Sequence, residues 1–111
     1  MISNQILQNT IEGLKAITRI DLCVVDTEGK VLAGTCTETD DYETSIKSFV
    51  DSPADSQVVQ GCQFFKIFDE YQLEYILLAY GENENAYMIG KLAAFQIHNL
   101  LIAYKDRKSV V

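Results

Sequence analysis

At 111 residues, 48% of them apolar and 23% charged, the chain has the length and composition of one folded domain with its own core, which excludes disorder. A formal charge of -7, from 16 acidic against 9 basic residues, excludes a nucleic-acid surface, because phosphate backbones would be repelled. Cys23, Cys36 and Cys62 lack the short spacing of a zinc or redox motif, and no charged segment leads into a long apolar stretch at the N-terminus. The longest apolar segment, 87–104, is interrupted by Gly90, Lys91, Gln96, His98 and Asn99, which argues against a membrane span. One compact domain over 1–111, in a reducing cytoplasm, is the expectation.

Residues 4–18 place Ile6, Leu7, Ile11, Leu14, Ala16 and Ile17 mostly at helical spacing, with Ser3 or Asn4 as N-cap. Gly13 in that helix suggests close packing, since glycine there costs about 1 kcal/mol relative to alanine. The run Ile20 to Asp26, the turn Thr27-Glu28-Gly29-Lys30 and the segment Val31 to Thr35 predict a hairpin, although the apolar alternation is imperfect. A second helix is expected over 40–51, capped by Thr39, with Asp40, Asp41 and Glu43 at its start and Ser52-Pro53 ending it. Strands follow at 57–60, 63–68 and 73–80. A final helix runs from about Asn85 to Arg107. Short turns between neighbouring strands predict an antiparallel sheet with helices packed on it. The expected fold is α+β, a PAS-like or GAF-like five-stranded sheet in the order 2-1-5-4-3, with the N- and C-terminal helices on it.

The final helix carries the most information. Met88, Leu92, Phe95 and Ile102 fit one stripe; Ile89, Ala93, Ile97, Leu100 and Tyr104 fit another. A helix apolar on more than one side must be buried on more than one side. Either the N-terminal helix covers the second stripe within one chain, or a second copy does. Dimerisation through the terminal helices is the preferred reading, with Met88, Leu92, Phe95 and Ile102 as its seam. With no capping glycine after Tyr104, the helix is also expected to continue into a longer protein and to carry a signal there.

No catalytic constellation is visible. His98 is the sole histidine and lies mid-helix; the Asp40, Asp41 and Glu43 acids suit a helix start better than a metal site; no glycine spacing cradles phosphate. An enzyme, a metal and a cofactor are therefore not expected. A binding pocket needs no motif, only apolar walls and a few placed polar groups. For a carboxylate ligand the candidates are Lys66 and Lys91, with Tyr75 and Tyr80 as hydroxyl donors. The alternative for each lysine is an apolar stem that carries its charge to water.

Several segments, in order, resemble a known family. They are the Ile6-Leu7 helix, the Ile20-Asp21-Leu22-Cys23-Val24-Val25-Asp26-Thr27-Glu28-Gly29-Lys30 hairpin, Asp55 to Gly61, Phe64 to Asp69, Ala86 to Ala93 and Gln96 to Leu101. Together they resemble the N-terminal sugar-diacid recognition domain of bacterial carbohydrate-diacid regulators. The resemblance implies a transcriptional regulator whose helix-turn-helix region, outside this chain, contacts DNA. It also implies a small sugar diacid or hydroxy acid as ligand and a homodimer without membrane contact. Lys66, Tyr75 and Lys91 as ligand groups come from their chemistry and from no family motif. The competing reading is a structural dimerisation module of roadblock or profilin-like type, with the same order of elements and no ligand.

Overall fold

The computed structural model describes residues 2–36 and 42–109, the last five by backbone alone. Its elements are α1 (Asn4–Thr18), β1 (Leu22–Val25), β2 (Val31–Gly34), α2 (Glu43–Asp51), β3 (Ser56–Val59), β4 (Cys62–Asp69), β5 (Gln72–Tyr80) and α3 (Glu84–Ser109). The five strands form one antiparallel sheet in the order β2-β1-β5-β4-β3, as expected from the chain. The first and last strands therefore sit together at its centre.

Both faces of the sheet are covered, which explains the imperfect alternation in β1: Leu22, Cys23, Val24 and Val25 are all buried. On one face Leu22, Val24, Phe65, Ile67, Tyr75, Leu77 and Ala79 pack against Leu7 and Ile11 of α1 and against Ala93, Ile97 and Leu101 of α3. On the other, Cys23, Val25, Cys62, Phe64, Ile76 and Leu78 pack against Ile46 and Phe49 of α2. The N- and C-terminal helices thus share a face, and the middle helix takes the opposite one.

Local chemistry fixes the element ends. Ser3 caps α1 by accepting from the Ile6 amide (3.2 Å), and Arg19 closes it in the left-handed region at φ 62°. Asp26 accepts from the amides of Glu28 and Lys30 (both 2.9 Å), shaping the β1–β2 turn. Gln60 (φ 48°) and Gly61 (φ 78°) make a two-residue hairpin turn with positive φ at both positions, whose twist suits the flanking strands. The buried Gln63 amide donates to the carbonyls of Gly81 (3.1 Å) and Asn83 (3.2 Å), and the Asn83 side chain accepts from Ala86 N (2.8 Å). That relay sets where α3 begins.

Two readings need correction. The second helix starts at Glu43 after Tyr42, which makes no side-chain cap bond; Thr39, Asp40 and Asp41 lie outside the described residues. Gly13 is exposed, with nothing within 4 Å of the position a Cβ would occupy, so no close packing accounts for it. The close approach falls instead at Gly90, where an added Cβ would lie 2.2 Å from Phe65 Cε2 and 3.0 Å from Ala79 Cβ.

Candidate functional site

The second stripe of α3 turns inward. Ala93 and Ile97 are fully buried against the sheet, Leu101 joins them, and Leu100 packs at the margin of the same cluster near α1. The chain itself therefore covers that stripe, through both the sheet and α1. The first stripe faces outward: Met88 is 58% exposed, Leu92 55%, Phe95 61% and Ile102 47%. Gly90 lets the helix settle onto Phe65, and this sinks one side of α3 while holding the opposite side clear of the body.

Tyr87, Met88, Lys91, Leu92 and Phe95 line a shallow apolar depression on this outer face. Lys91 is exposed, and its Nζ lies 5.9 Å from the centre of the Tyr87 ring, while Tyr87 is tilted against Phe65 at 5.6 Å. Four large apolar side chains on one ridge, each about half exposed, form a contiguous patch of the kind that marks an interaction surface. The sheet edges offer less. Gln8 of α1 pairs with the outer backbone of β2, donating to Gly34 O (2.8 Å) and accepting from Gly34 N (3.0 Å), which blunts that edge. The opposite edge is β3, where Val58 is 55% exposed.

The three candidate ligand groups do not converge. Tyr75 is buried under the α1–α3 face, and its hydroxyl accepts from the Ile2 amide at 3.4 Å. Lys66 is half-buried; its Nζ donates to the Ser52 carbonyl and lies 5.0 Å from the centre of the Phe49 ring, on the α2 side. Lys91 stands on the outer face of α3. Lys66 and Lys91 do border a common groove of about 240 Å³ between the sheet and α3, along with Asp55, Phe95 and His98. Within it the His98 Nδ1 lies 3.0 Å from the Phe68 carbonyl. Since a carbonyl only accepts, Nδ1 carries the proton there. The Asp55 carboxylate makes the groove less favourable to an anion. Sequence reasoning missed Asp55 and His98 as groove residues, because only the β3–β4 hairpin and the α3 register bring them together.

Tyr80 behaves differently from the hydroxyl donor expected of it. Its hydroxyl is buried, with the thiols of Cys23 and Cys36 as weak polar neighbours, and no stronger partner reaches it among the described residues. Burial, with the neighbouring thiols, holds its proton well above the usual phenol range. Burial likewise pushes the Cys23 and Cys62 thiols up to about 12, a value that suits structural rather than reactive cysteines. Among the described residues no group of three or more His, Cys, Asp or Glu side chains is placed to hold a metal ion, and no helix is long and apolar enough to cross a membrane.

No family model matches the sequence, and no curated protein matches it. Among solved structures the fold is similar to that of Myxococcus xanthus MglB, with a TM-score of 0.59 over 93% of this chain and 94% of that one. The two sequences are 9% identical, so the likeness is one of fold alone.

Proposed function

We propose that this chain is a structural dimerisation module of the roadblock type, self-associating through the outer face of α3. The observation that carries the reading is the uncovered stripe Met88, Leu92, Phe95 and Ile102. Water against that ridge is unfavourable, and a second copy removes it at about 25 cal/mol per Å² of apolar surface. The likeness to MglB, a chain of roadblock-like fold, supports this reading over a PAS-like or GAF-like sensor. So does the burial of Tyr75 away from the groove that Lys66 and Lys91 border, with Lys66 already donating to the Ser52 carbonyl.

The test is the concentration dependence of thermal unfolding. A dimer that binds the folded state only raises Tm as protein concentration rises, by mass action. The wild type shows that rise, and Leu92→Glu or Phe95→Glu loses it while keeping the circular dichroism of the fold. A Tm independent of concentration in the wild type would remove the proposal.

A second reading rests on the groove between the sheet and α3, where Lys91 and His98 stand beside apolar walls. There a small sugar diacid or hydroxy acid would bind, and the chain would serve as the sensor of a transcriptional regulator. Melting against glucarate, tartrate and glycerate distinguishes the two. A ligand at 100 times its dissociation constant stabilises the fold by about 2.7 kcal/mol, and a selective shift lost in Lys91→Met establishes the sensor.

A further inference from the structure

We infer that the two copies pair antiparallel along α3, about a two-fold axis that passes beside Phe95; this rests on the dimerisation proposed above. Met88, Phe95 and Ile102 recur at seven-residue spacing, and Leu92 widens the ridge on one side. The stripe is therefore centred on Phe95, with Met88 and Ile102 equidistant from it. A two-fold axis there sets Phe95 against its own copy and Met88 of each chain against Ile102 of the other. Met88, Phe95 and Ile102 then each meet an apolar group, as an isologous interface requires, while Leu92 flanks the seam. A heptad-spaced seam favours a shallow crossing near 20°, so the helices stay within side-chain reach over most of their length.

Charge selects the direction. Glu84 opens α3 and Glu82 lies in the loop just before it, while in sequence its last turns hold Lys105, Arg107 and Lys108 against a single Asp106. Parallel pairing would set acidic end on acidic end, basic end on basic end, and the two helix dipoles side by side in the same sense. Antiparallel pairing sets each acidic start beside the basic end of the partner and opposes the dipoles. Complementary charge across an interface fixes register and orientation in this way.

Disulfide trapping in a Cys36→Ser background tests the arrangement, since Cys23 and Cys62 are buried. Two cysteines bridge only when their Cα atoms lie within about 7 Å. Antiparallel pairing brings position 88 to position 102 of the partner and separates two copies of position 88 by about 21 Å along the helix. Met88→Cys alone and Ile102→Cys alone should stay uncrosslinked under oxidised glutathione. Their mixture, and Phe95→Cys alone, should give covalent dimers. Self-crosslinking of Met88→Cys would overturn the antiparallel register and leave dimerisation standing. A wild-type dimer in which none of these pairs crosslinks would place the interface elsewhere, such as the β3 edge, and also overturn the register. A wild type that is monomeric by mass would overturn both.

Discussion

Gly90 lies so close to Phe65 that the Cβ it lacks would sit 2.2 Å from Cε2 and 2.8 Å from Cζ of that ring. Phe65 is 3% exposed and cannot swing into solvent, and Ala79 Cβ closes the other side at 3.0 Å. The contact sets the depth at which α3 rests on β4 and β5. The exposed stripe of α3 follows from it, because the same rotation that seats Gly90 inward holds Leu92 and Phe95 outward.

Gly90→Ala should therefore destabilise the domain by about 1–3 kcal/mol in urea unfolding, the usual cost of overpacking, even though alanine is the better helix former by about 1 kcal/mol. Gly13→Ala is its control. With open space around Gly13, only the helix preference acts, and the variant should gain up to about 1 kcal/mol. Equal effects at the two positions would contradict this account of how α3 is seated.

Alkaline stability should report the buried thiols. Cys23 and Cys62 have folded values near 12 against an ordinary value of 9.0, so the unfolded chain loses their protons first as pH rises. Their contribution is complete below about pH 9 and is lost between 9 and 12, at up to about 1.4 kcal/mol per pH unit for each thiol. Urea midpoints from pH 8 to pH 10.5 should fall, and Cys62→Ala should fall less steeply than the wild type. Parallel slopes would show that the thiol does not titrate as described.

Acid should act at Asp21, whose carboxylate accepts from Lys15 Nζ and from the Thr35 hydroxyl (2.8 Å), tying α1 to the β1–β2 hairpin. The Lys15 hydrogen bond chiefly, with help from Thr35, holds this carboxyl below its ordinary 3.8 against an opposing effect of burial. Stabilisation by the group is thus present above pH 3.8 and disappears as pH falls through the lower folded value. Both partners are about one-third exposed, so water screens the pair. Asp21→Asn should cost no more than about 1 kcal/mol at pH 7, with the difference from wild type closing as pH falls below the ordinary 3.8.

Strand order was legible in the sequence because short turns leave few ways to arrange five strands around a central first-and-last pair. The Ser3 cap, the β3–β4 hairpin and the burial of Cys23 were legible for local reasons: each depends on residues a few positions apart. The two stripes of α3 could also be separated by their spacing. Which stripe faced the body could not, because that is decided by Gly90 against Phe65, contacts 25 residues apart in sequence. Gly90 was visible as a break in an apolar run, but a glycine at a close approach and one in open space, such as Gly13, read alike. Lys66 looked like a ligand group because no local signal shows that the chain turns at Ser52 to offer it a carbonyl.

Sedimentation equilibrium of the wild type beside Leu92→Glu reads self-association through α3 without an intermediate step. The wild type should show twice the mass of the 12.5 kDa chain at micromolar concentration, and a folded Leu92→Glu variant the mass of one chain. A wild type that stays at the mass of one chain, or a Leu92→Glu variant as dimeric as the wild type, would contradict that association.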